Sequence, residues 1–129
     1  MTKWTVTDVA ERFESAAYTL KRLPPVQAQG YFNAMPEVIR TATEKLQGDK
    51  LWLRLGSPTP EAISNMEETI QWVFWLEEEE RRLVWLRAER VPWKRIYWRM
   101  GCGRTKAWHM WTIALLKIAT QLNIKQQGG

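Results

Sequence analysis

At 129 residues the chain has room for one domain, or one compact domain with a small appendage, and none for a second, independent enzyme domain. It holds no apolar run of roughly eighteen residues that would span a membrane and no apolar signal core near the start, and its single cysteine, Cys102, cannot close an internal disulfide. Net charge is +5 and unevenly placed: residues 1–80 carry 8 Lys/Arg and 13 Asp/Glu, whereas residues 81–129 carry 11 Lys/Arg and one acid, Glu89. These features set the expected location as the cytoplasm, with no membrane partner and with an anionic surface such as nucleic acid facing the C-terminal part.

In chain order, residues 5–23 place Val9, Phe13, Ala16, Ala17 and Leu20 on one helical face, with Thr7 or Asp8 as the expected cap. Pro24 and Pro25 end that helix, because neither donates a backbone hydrogen bond. Residues 26–35 show no period and read as a loop whose Tyr31 and Phe32 rest on the core. A short helix is expected over residues 36–48, with Pro36 at its first position and Gly48 at its end. Residues 49–58, in which Leu51, Leu53 and Leu55 alternate, read as an ordered connector, since no partner strand is available.

Thr59, Pro60 and Glu61 combine a capping hydroxyl, a proline suited to the first turn and an acid at the positive dipole end. The helix they start carries Ile63, Met66, Ile70, Val73 and Phe74 inward, widened by Trp72 and Trp75. The four consecutive acids at 77–80 repel one another least at a new helix N-terminus, so a break is expected near Leu76, with one continuous helix as the alternative. The following helix carries Leu83, Val84, Leu86 and Arg87 to about Arg90. Residues 124–129 form a polar tail expected to fray. Most of the nine tryptophans are expected in the core.

Residues 91–122 organise the rest. A short helical pattern ending at Met100, a turn of Gly101, Cys102 and Gly103, and a longer helical pattern from Arg104 make up the spacing of a helix-turn-helix. Ile96 and Met100 take the buried positions of its first helix and Cys102 the apolar position after the turn. Ala107, Trp111, Leu115 and Ile118 form the inner stripe of its second helix. Tyr97 and Ala107 depart from the common pattern as a large-for-small exchange offset by a small-for-large one, which conserves volume if the two pack together. The expected fold is all-α, a helical bundle with a C-terminal helix-turn-helix, divided into a scaffold (1–76), the helix-turn-helix region (77–123) and the tail (124–129).

The stretch EEERRLVWLRAERVPWKRIYWRMGCGRTKAWHMWTIALLKI resembles region 4 of sigma-70 factors, and in particular the helix-turn-helix of small phage late-transcription regulators of the RinA and ArpU type. It is also similar to small alphaproteobacterial prophage proteins. The resemblance covers about the last third of the chain. It implies base-edge contacts from Arg104, Thr105, Trp108, His109 and Thr112, and phosphate contacts from Arg90, Lys94, Arg95, Arg99 and Lys106.

Catalytic chemistry finds little material. Cys102 has no independent base, and the chain lacks a phosphate-cradling glycine loop, paired cysteines and a second ligand for His109, so no catalytic residue, metal or cofactor is expected. The expected function is sequence-specific binding of double-stranded DNA as a transcription regulator of phage or prophage origin, in the host nucleoid. A homodimer is expected, with residues 1–80 offering a surface for self-association or for RNA polymerase or another host protein. A small-terminase-like packaging subunit and a protein-binding inhibitor of a host factor are the alternatives.

Overall fold

The computed structural model describes residues 3–24, 27, 30, 31 and 54–128. The expected helix over 36–48, Phe32, and Leu51 and Leu53 of the connector lie outside those residues. Within them, all regular structure is helical, including residues 27, 30 and 31 of the expected loop and 54 and 55 of the expected connector; the elements are α1 (Val6–Arg22), α2 (Pro60–Trp72) with a short 3-10 turn (Val73–Trp75), α3 (Glu78–Ala88), α4 (Trp93–Met100) and α5 (Arg104–Gly128). No described helix is long and apolar enough to cross a membrane.

The start of α1 differs from expectation in one detail. Its cap is Thr5, whose hydroxyl accepts from the Asp8 amide at 3.2 Å while the Asp8 carboxylate accepts from the Thr5 amide at 3.0 Å. Two free amides are thus satisfied reciprocally, which a cap at Thr7 or Asp8 alone would not achieve. At the other end Leu23 turns extended, as a residue preceding proline must. The α2 start is as expected, with the Thr59 hydroxyl accepting from Ala62 at 3.1 Å.

Beyond Trp72 the tighter winding of the 3-10 turn changes which face each residue presents. Val73 stays in the core, but Phe74 is carried outward and stands 48% exposed. Leu76 then breaks the chain direction, and α3 begins among the acids. The Glu80 carboxylate accepts from the Glu77 amide at 2.9 Å and from the Lys117 ammonium at 2.8 and 3.0 Å, so one acid both closes α3 and fastens it to α5.

Two apolar clusters result. The larger joins α1, α2, α3 and the second half of α5 around Phe13, Leu20, Met66, Val73, Trp85, Leu115 and Ile118, with Tyr31 packed at its edge. The smaller is built on Leu83, Leu86 and Ile96, with Val91, Trp93, Met100 and Met110 against it. Trp111 packs on both. Far along α5, the Asn123 side chain exchanges two hydrogen bonds with the Trp4 backbone, at 2.8 and 3.0 Å, and Lys125 lies 4.7 Å over the Trp75 ring. The helix continues through Gly128.

Candidate nucleic-acid interface

The exit from α3 sets where α4 begins. Arg90 adopts the left-handed conformation (φ 62°), its amide donating to Arg87 and that of Val91 to Leu86, the two bonds of a Schellman helix end. Glycine is the usual residue there, because a side chain in this conformation costs about 1 kcal/mol. Pro92 then starts α4, and Gly101, also left-handed at φ 65°, ends it with its amide donating to Tyr97 at 2.9 Å. The Ala107 amide donates to Gly103 at 3.0 Å, so α5 starts directly after the three-residue turn.

This pair of helices is held by aromatic contacts. Trp93 meets Trp111 edge to face at 5.6 Å, stacks on Tyr97 at 6.0 Å and receives the Arg87 guanidinium 4.8 Å from its ring. Ile96 and Ala107 are fully buried, whereas Met100 and Cys102 are half-buried. Tyr97, expected to offset Ala107 in volume, is half-buried with its ring on Trp93.

Turned about 100° round the helix from the buried stripe of Ala107, Ala114, Leu115 and Ile118, the first turns of α5 carry the residues assigned to base contact. At about 100° per residue, Arg104, Thr105, Trp108, His109 and Thr112 fall within an arc of about 140°. The first four are exposed. Thr112 is half-buried and its hydroxyl donates to the Trp108 carbonyl at 2.9 Å, so its proton is already engaged. The Trp108 ring is 49% exposed and touches His109 edge to face at 5.5 Å.

Of the residues assigned to phosphate contact, Lys94, Arg95, Arg99 and Lys106 are exposed on α4 and the first turn of α5. Arg90 stands apart from them, 3.6 Å from Glu14 of α1, although its side chain is largely in solvent. No acid occurs after Glu89, so α4 and α5 themselves carry only cations, of which Lys117 is paired with Glu80 of α3.

Glu89 itself lies beside an open cleft of about 540 Å³ between α1 and the end of α3, which Glu11, Glu14, Tyr18, Lys21 and Arg90 also line. Burial pushes its carboxyl up to about 7, against the lowering pull of Lys21, Trp85 and Arg99. Among the described residues no group of His, Cys, Asp or Glu is disposed to hold a metal ion.

Sequence reasoning missed three residues. Glu80 reads as one of four solvated acids but is only 7% exposed, and its spacing of three from Glu77, suited to a capping box, was the available signal. Glu89 gave no signal, because its burial depends on α1. Trp98 is not singled out by the expectation that most tryptophans are core, yet it is 84% exposed; its place four after Lys94 and three after Arg95 puts it on the charged face.

No curated protein and no solved structure matches the chain at a significant level. A family model does, over residues 21–118, from the last turn of α1 to the innermost residue of α5. That span takes in most of the chain, and the protein belongs to the family described as Domain of unknown function (DUF6362).

Proposed function

We propose that this protein binds double-stranded DNA sequence-specifically, as a transcription regulator of phage or prophage origin that acts as a homodimer, with α4 and α5 docking as a helix-turn-helix. The observation that carries the reading is the division of α5: Ala107, Leu115 and Ile118 are fully buried, while Arg104, Thr105, Trp108 and His109, in its first two turns, stand in solvent along an arc centred about 100° round the helix from that stripe. That is the division required of a helix that packs by one side and reads by the other. The exposed cations of α4 and of the first turn of α5, Lys94, Arg95, Arg99, Arg104 and Lys106, supply the non-specific attraction that such proteins use to find and hold a duplex.

Selection of bound duplexes from a random pool, followed by titration at several salt concentrations, tests this. If about five phosphates are neutralised, log affinity falls with log salt at a slope near −4.5. Arg104→Ala lowers the preference for the selected sequence over random duplex by about 5- to 150-fold, the equivalent of one bidentate guanine contact at about 1–3 kcal/mol. Absence of duplex binding even at low salt overturns the reading in favour of a protein-binding module.

A further inference from the structure

Eight tryptophans lie among the described residues, and seven of them have an aromatic or cationic neighbour. Trp4 and Trp72 meet each other and share Arg12, Trp85 meets Phe13, Trp93 meets Trp111, Trp75 lies under Lys125 and Trp108 meets His109. Trp98 is the exception. It is 84% exposed and makes no ring contact, cation contact or hydrogen bond among the described residues.

Its surroundings are specific. Lys94 and Arg95 precede it by four and three residues and are exposed like it, so both cations share its helix face without touching the ring. Arg99 flanks it. On the C-terminal side Gly101 has no side chain, and apart from its chain neighbours no atom of the described residues lies within 4 Å of the position a Cβ would take there. The seat is therefore a bare aromatic plane, bordered by positive charge on one side and open on the other.

A ligand for that seat has to satisfy both chemistries. A purely apolar partner would strip water from the cations without replacing it, and a simple anion would leave the indole wet. A closed duplex presents phosphates, but the faces of its bases are covered by their neighbours. A strand with a base out of the stack presents a phosphate and a free π face together.

We propose that Trp98 is a stacking seat for an unpaired nucleobase, with Lys94, Arg95 and Arg99 on the adjoining phosphates, so that the protein holds single-stranded or locally opened nucleic acid through α4. The inference rests on the nucleic-acid part of the reading above but not on its duplex part.

The test titrates the full-length protein, as wild type, Trp98→Ala and Trp98→Phe, with a labelled oligothymidine of about 15 nucleotides and with a blunt duplex of equal length. On oligothymidine, Trp98→Ala weakens binding by about 5- to 100-fold, the range for loss of one base–aromatic stack, and Trp98→Phe retains most of the affinity. Duplex affinity changes little in either variant. Equal weakening on both ligands overturns the proposal, as does an unchanged affinity for oligothymidine. A fall in solution mass on Trp98→Ala with oligothymidine binding intact makes the residue a subunit contact and also overturns it. The two readings fail separately. Duplex binding without oligothymidine binding leaves the regulator and removes the seat; Trp98-dependent oligothymidine binding without duplex binding does the reverse.

Discussion

The two apolar clusters differ in how they are held, and the difference separates what keeps this protein folded from what it presents. The larger draws on four helices and includes Trp85 and Phe13, which meet edge to face at 6.4 Å and are almost wholly withdrawn from water. The smaller has three fully enclosed aliphatic side chains and otherwise depends on the half-buried Val91, Trp93, Met100, Met110 and Trp111. Short helices such as α4 have little stability of their own. The α4 pair is therefore the part most free to open, and it is also the part proposed to hold nucleic acid.

The largest effect expected from breaking this contrast is at Trp85. Trp85→Ala empties the middle of the larger cluster and should cost about 3–5 kcal/mol, lowering the whole denaturant transition. A loss confined to α4 and α5 would mean that the clusters fold independently.

Glu89 supplies the next effect, through pH. Its carboxyl has a native value of about 7 against an ordinary 4.5, so between those values the folded protein keeps a proton that the unfolded chain has released. The stabilisation from the neutral acid is complete below pH 4.5 and is lost as the pH rises through 7. At about 1.4 kcal/mol per unit, reduced for partial exposure, the loss is about 2–3 kcal/mol. Glu89→Gln has no such proton, so its stability should exceed wild type by that amount more at pH 8 than at pH 4.5. Parallel pH profiles of the two proteins would refute the shift.

Trp93→Ala addresses the smaller cluster directly. Removing a half-buried ring with three partners should cost about 2 kcal/mol, read as faster amide exchange in α4 with α1 and α2 still protected. The smallest effect is at the left-handed Arg90, where Arg90→Gly removes the strained side chain and should stabilise by about 0.5–1 kcal/mol. Loss of stability there would mean that the contact with Glu14 outweighs the backbone strain.

The sequence revealed most where one residue's neighbours lie within its own helix. The spacing of Ala107, Leu115 and Ile118 identified the inner side of α5, the Thr59–Pro60 pair located the start of α2, and the acids at 77–80 located the break before α3. It revealed least where a distant element decides. Glu80 is enclosed because Lys117 reaches it across 37 positions of sequence, and Glu89 because α1 covers it. Phe74 turned outward because the winding changed from α to 3-10 within a single turn, which an apolar stripe read at constant pitch cannot anticipate. For the candidate site, the exposure of Thr105 and His109 follows from the stripe on the other side of α5 and that of Arg104 from its place at the helix end, while a general expectation about tryptophan carries no signal for Trp98.

The length of α5 has a mechanical consequence. Its 25 residues make one rod of about 37 Å, with Trp111 wedged between both clusters some 10 Å from Arg104. Trp111 is placed to act as a fulcrum. A tilt of about 5° there would move the tip at Arg104 by about 1 Å, a fair fraction of the tolerance of a hydrogen bond. Substitutions that merely reshape the packing under Trp111 would thus re-aim the outer side chains without touching any of them.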